Sequence, residues 1–198
     1  MSTLVRSPDP EYPVEIDLRN RTLAAIWAWL WPGAGHIYQR RYAKGILFMV
    51  CILGTFFFGF GMGGWRVVYA SFRRPDLRLP YVCQVAVGLP ALPALLERQR
   101  ALSDPPKPPL FGSSETFQAG EVADSIFRPP FDSRHAYLEQ GYDKAAEWHD
   151  RLKGRFDIGT LYTMIAGLLN VLAIYDAYAG PAFILPGKEH SPKDDKKE

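Results

Sequence analysis

The sequence predicts an all-α fold, a polytopic membrane protein with four transmembrane helices, and three observations carry that expectation. Residues 45–65 form an unbroken uncharged run. A bilayer core about 30 Å thick needs roughly 20 such residues, more than a small soluble domain usually requires. Further apolar runs cover residues 22–38 and 79–96, and another begins near Ile158 and continues to about Ala179. Basic clusters separate the runs, with Arg40, Arg41 and Lys44 in one turn and Arg66, Arg73, Arg74 and Arg78 in a loop. The alternative architecture keeps three spans and makes residues 79–96 a re-entrant segment.

Composition narrows the function classes. The chain has 198 residues and a net charge of +2, too little to attract nucleic acid, and no basic stripe interleaved with aromatics lies outside the membrane flanks. The mean hydropathy is slightly polar because apolar runs are averaged with proline-rich polar ones. Cys51 and Cys83 both lie inside uncharged runs, where a thiol behaves as a small apolar side chain. A secretory signal would place a short apolar core directly after a basic start. Here a mostly polar stretch comes first, so no cleaved signal is expected.

Taken in order, residues 1–21 carry Pro8, Pro10 and Pro13, which bars a regular helix until about Val14 and predicts a mobile tail. Residues 22–96 form the first membrane unit. Pro32 removes a backbone donor and clashes one turn back, so the first helix should kink or restart near Trp31. Trp27, Trp29 and Trp31 add aromatic mass, and Tyr38 and Tyr42 flank the turn where amphipathic rings favour an interface. In the second run Gly59 and Gly63 keep a small-xxx-small spacing that lets backbones approach. The third run contains Pro80, Gly88, Pro90 and Pro93, so it is either a kinked span or a re-entrant segment.

Residues 97–157 are the one sizeable polar region. Prolines across 103–109 read as an extended spacer, and 110–130 show no sustained period. Asp132 or Ser133 can cap a helix in which Leu138, Tyr142, Ala145, His149, Leu152 and Phe156 form an apolar stripe, suited to docking on a membrane surface or on the protein's own loops. The fourth span occupies 158–186 with its helix stopping at Gly180 and Pro181. Gly159, Thr163, Gly167 and Asn170 share the face expected to pack on another span. Residues 187–198 read as a disordered charged tail.

Pro32, Gly33, Gly35, His36 and Tyr38, followed by Lys44, Gly45 and Ile46, resemble the bacterial membrane hairpin family called the TM-two domain. Gly33, Gly35, His36, Tyr38 and Gly45 match in kind, and a glycine common just after the tyrosine in that family is Arg40 here. The longer pattern adds residues 81–93, 159–170 and 174–180, and is similar to an uncharacterised bacterial integral-membrane family carrying a domain of unknown function. That resemblance implies a membrane location and supplies no activity.

Candidate chemistry is sparse. His36 reads either as a structural hydrogen-bonding group or as a proton carrier or ligand, and a membrane haem would want a second histidine at matching depth. His135 with Glu139, and Glu147 with His149, are weak metal pairs lacking a clear third ligand, so neither metal nor cofactor is expected. Asn170 should bond between helices, with a substrate contact as the alternative. Asp176 falls in the last turn of its helix, the negative end of the dipole, so a cation should lie nearby. With four spans that cation comes from the side of Arg19, Arg21 and Arg66. With a re-entrant third run it comes from the side of Arg40, Arg41 and Lys44.

The expectation is therefore a multi-pass protein of the bacterial inner (cytoplasmic) membrane with a cytoplasmic N-terminus. Its partners are the lipid bilayer and either another protein or a second copy. A non-enzymatic scaffold, assembly or accessory subunit is the leading role. A small transport or ligand-binding protein using the broken helices around His36 and Asn170 is the alternative, and an enzyme stands third.

Overall fold

Two helices carry the architecture in a computed structural model that describes residues 4–6, 15–72, 77–103, 105, 107–111, 125–130 and 144–180. The described chain is mostly helical. A short antiparallel ladder precedes the helices, pairing β1 (Leu4–Arg6) with β2 (Glu15–Asp17) in the register Val5 to Ile16. The N-terminal segment thus contains a short stretch of extended, paired backbone at residues 4–6 and 15–17, and the helices make up most of the described chain.

Helix α1 spans Arg21–Leu30, and the Asn20 side chain accepts from the Leu23 amide at 3.1 Å to cap it. It stops where Pro32 lacks a donor and Gly33 turns the chain at φ +82°, a conformation that costs a side chain about 1–2 kcal/mol. The short α2 (Ala34–Tyr38) then doubles back. Arg19 Nη1 donates to the Tyr38 carbonyl at 2.9 Å, so the chain returns to the end from which α1 left. The break near Trp31 falls where proline chemistry puts it. The expected first span is nevertheless not one helix: ten residues reach only about 15 Å.

Helix α3 (Tyr42–Met62) and the last helix, Gly154–Ala179, are the two described helices long and apolar enough to cross a membrane by length and composition. They run antiparallel. The residues of the third run form α4 (Pro80–Gln84), a 3-10 turn (Val85–Val87) and α5 (Pro93–Ala101). Gly88 reverses the chain at φ +85°, and Pro90 and Pro93 prevent helix continuation. The residues expected as a third span therefore form two short helices with a chain reversal between them.

The expected single amphipathic helix into residue 156 is also corrected. Helix α6 covers Lys144–Leu152 and ends at Lys153, whose φ is +51°, before α7 (Gly154–Ala179) begins. The break rotates the register, so Trp148 is buried and His149 is exposed. Phe156 packs in the core as part of α7, Leu152 is half-buried, and Leu138 and Tyr142 lie outside the described residues. The last helix starts at Gly154, earlier than expected, and stops at Gly180, whose φ is +87°. The main core joins Ile52, Phe56 and Phe60 of α3 to Val67, Tyr69, Tyr81, Trp148 and Phe156, and a smaller one joins Ala24 and Ala28 to Ala177.

Candidate functional site

Polar side chains collect at two levels along α7. At its C-terminal end Asp176 receives three basic groups. His36 Nε2 lies 2.7 Å from Oδ2, Arg41 Nη2 3.2 Å from the same oxygen, and Lys44 Nζ 2.8 Å from Oδ1. The turn between α2 and α3 brings Arg41 and Lys44 within reach of one carboxylate, and the Gly33 turn folds His36 back beside them. His36 is fully buried, with its ring edge against Phe48 at 4.9 Å between centroids. Gln39 adds a buried bond from Nε2 to the Ala177 carbonyl at 2.6 Å. A carboxylate at the negative end of a helix dipole is thereby offset by adjacent cations. Of the two partner sets expected for Asp176, the structure brings in Arg41 and Lys44, the set tied to a third run that does not cross.

The second level is set by Asn170, which is fully buried. Its Nδ2 donates to the Ala28 carbonyl at 3.1 Å and to the Ala86 carbonyl at 2.8 Å. The first is near the C-terminus of α1 and the second lies in the 3-10 turn after α4. The two half-length elements approach from opposite ends and meet there, where the Leu89 amide donates to the Leu30 carbonyl at 3.1 Å. One step along α7, Gln84 Nε2 donates to Thr163 Oγ1 at 2.8 Å and to the Val67 carbonyl at 3.2 Å. Arg78 then bonds the Thr160 hydroxyl at 3.0 Å and stacks over Tyr69 and Phe156.

Close backbone approach explains most of the candidate glycines. A Cβ on Gly159 would lie 2.5 Å from the Gly59 carbonyl oxygen and 2.7 Å from the Gly63 amide nitrogen, so α3 and α7 meet through these residues. A Cβ on Gly45 would sit 2.9 Å from the Gly33 carbonyl oxygen, and one on Gly35 would be 2.8 Å from the Ala28 methyl. Gly167 faces the Cys83 peptide of α4. Tyr38 contributes its carbonyl to Arg19, whose guanidinium lies 5.4 Å from the Tyr38 ring centroid.

His36 and Asn170 are not brought into one site. Asp176, the partner of His36, lies six residues beyond Asn170 in α7, about 9 Å along the axis. His149 is exposed, donates from Nδ1 to the Ala145 carbonyl at 2.7 Å, and has Nε2 3.7 Å from Asp157. His135 and Glu139 lie outside the described residues. Among the described residues no three His, Cys, Asp or Glu side chains gather closely enough to hold a metal ion.

A family model described as a family of unknown function, DUF6677, matches residues 23–190. The chain belongs to that family. No curated protein and no solved structure matches it. The DUF6677 match runs from the first turn of α1 through α7, so both polar levels lie within the family's extent.

Sequence reasoning missed several contacts of this DUF6677 protein. Gln84, Thr160, Arg78 and Gln39 gave no periodic signal of their own. Glu97 of α5 is fully buried, accepts from the Leu110 amide at 2.6 Å and pairs with the buried Arg128 at 3.5 Å. A lone carboxylate in the second turn of a helix that starts with proline resembles an ordinary solvated position. The buried pair becomes visible only when residues far apart in sequence meet.

Proposed function

We propose that the chain is an integral membrane scaffold or accessory subunit without catalytic activity, with two crossing helices and two half-length elements that meet inside the bilayer. The observation that carries this reading is the use made of the inward polar groups. Asn170, Gln84, Thr163 and Arg78 bond the broken helices and each other to α7, as non-helical backbone within a membrane requires. The outward faces are apolar: Val50 of α3 and Leu172 of α7 are each 65% exposed. A soluble core helix would bury such side chains, whereas lipid covers them.

Arg19, Arg21, Arg40, Arg41 and Lys44 crowd short segments at one end, while between α3 and α7 the basic residues are spread thinly along the sequence from 63 to 153. Short, densely basic segments stay cytoplasmic, so the N-terminus and the C-terminal end of α7 both face the cytoplasm of an inner-membrane protein. In this topology the parts of the 63–153 segment next to α3 and α7, residues 64–72 and 145–153, face the opposite side and offer a surface for a protein partner or a second copy. Arg66 and Arg78 belong to that opposite side in this topology.

Single cysteines at Tyr42 and Tyr178, introduced with Cys51 and Cys83 replaced by alanine, test the topology. Labelling of both from the same side is expected, and opposite accessibility restores four spans. Mild purification from native membrane tests the role. A stoichiometric protein partner or a defined homo-oligomer is expected, whereas a monomer carrying a solute and no partner protein favours the transport alternative.

A further inference from the structure

We propose that Arg40, together with Arg41 and Lys44, forms a headgroup site for an anionic phospholipid, an inference that rests on the membrane reading above. Arg40 occupies the tip of the α2–α3 turn at φ +62°, a left-handed conformation that favours glycine. Its side chain is exposed, and among the described residues it has no hydrogen-bond or ion-pair partner. Strain held at such a position is an observation that points to use. The cations beside it exceed their internal counter-charge. Arg41 and Lys44 share the one carboxylate of Asp176, which also takes the His36 hydrogen bond, and the Lys44 side chain is still 35% exposed.

A guanidinium fork matches the non-bridging oxygens of a phosphate in a bidentate arrangement, and the Lys44 ammonium adds a point charge. The surroundings select a lipid over a soluble phosphate. Tyr42, Ile46 and Leu47 continue outward from the basic turn along α3, with exposures of 57%, 55% and 59%, and Tyr175 and Tyr178 flank the same end of α7. A headgroup bound at Arg40 and Lys44 therefore lays its acyl chains along exposed apolar side chains.

The test uses the full chain in dodecylmaltoside micelles doped with phosphatidylglycerol or, at equal mole fraction, phosphatidylcholine. It reads the thermal midpoint and counts bound lipid by native mass spectrometry. Phosphatidylglycerol is expected to raise the midpoint and remain bound, with the effect weakening in high salt. Arg40→Gln should lower the affinity about fivefold, the equivalent of the roughly 1 kcal/mol that one basic residue contributes near an anionic surface. Arg40→Lys should restore part of it, and Arg151→Gln on α6 should not change it. Equal response to both lipids in the unmodified chain overturns the proposal even if the variants fail to fold. Inorganic phosphate reproducing the shift overturns the lipid assignment. Alkaline extraction separates the two failures: release from membranes defeats the membrane reading, whereas retention without lipid preference defeats this site alone.

Discussion

Replacing Gly167 with leucine probes the contact that holds α4 against α7. A Cβ at this position would press on the Cys83 carbonyl group, whose carbon would be only 2.8 Å away, with the Gln84 Cα at 3.5 Å. The obstacle is backbone, so α4 must retreat by about 1 Å or more to regain ordinary contact, and overpacking of this kind costs roughly 1–3 kcal/mol. The same retreat stretches the 2.8 Å bonds from Asn170 to Ala86 and from Gln84 to Thr163. Interhelical bonds in membranes average about 0.6 kcal/mol and reach about 1.7. Helix propensity acts in the other direction, because removing glycine from a helix interior gains about 0.5–1 kcal/mol. The net expectation is a loss of about 1–4 kcal/mol. Leu168→Ala removes a side chain that is 53% exposed and should cost below about 1 kcal/mol. Gly54→Ala, at a glycine with nothing within 4 Å of its missing Cβ, isolates propensity and should be neutral or stabilising. Titration with dodecyl sulfate in mixed micelles, followed by far-ultraviolet circular dichroism, gives the three values. If Gly167→Leu loses no more than Leu168→Ala, α4 is not seated against Gly167 and the reasoning fails.

Asn170→Leu should destabilise by about 1–3 kcal/mol in the same titration, because the Ala28 and Ala86 carbonyls lose their shared donor. An unchanged midpoint would mean that the junction is held without the amide. Asp176→Asn should cost about 1 kcal/mol, and adding Lys44→Met should recover part of that loss, since the pair lies 2.8 Å apart and half-exposed ion pairs are weakly coupled. Strict additivity of the two changes would refute the coupling. In anionic-lipid-free micelles Arg40→Gly should raise stability by about 0.5–1 kcal/mol through relief of the left-handed turn, less the entropy glycine gains when unfolded. Arg40→Ala keeps the strain and should give no such gain.

How much of this arrangement was legible depended on whether a residue's signal was local. Pro32 and Gly180 act through the backbone of their own segment, so the breaks they cause could be read directly. The four-and-three spacing of Gly159, Thr163, Gly167 and Asn170 likewise marks one face, and that face is buried. Residues 79–96 were ambiguous because an uncharged run looks alike whether it crosses or turns back. The reversal at Gly88 fits tightly against the carbonyls of Trp29 and Leu30, residues of another segment. That ambiguity carried over to Asp176, whose cation could be assigned only once the third run was placed. The stripe ending at Phe156 failed through one residue: the left-handed turn at Lys153 shifts the register and exchanges His149 for Trp148. Glu97 and Arg128 were illegible for a different reason, since nothing periodic links them.

The junction at Asn170 follows from the length and polarity of the half-length elements. Helix α1 contributes about 15 Å, and α4 with its 3-10 turn about 13 Å. Stacked end to end they approach the roughly 30 Å of a bilayer core, so on the proposed membrane reading they supply one composite crossing beside α3 and α7. Both point their C-termini at the junction, and two negative dipole ends confront each other there. A lysine or arginine could offset them, but a charge near the bilayer centre costs about 2.5–3.5 kcal/mol on insertion scales. A neutral amide supplies two donors without that cost, and Asn170 directs its Nδ2 at a carbonyl from each element. For its short side chain to reach both, α7 must lie close to α4, which is why the preceding turn carries glycine at 167. The amide and the glycine therefore act as one device, and replacing both together should cost less than the sum of the separate losses, because once α4 has been pushed away the amide has little left to hold.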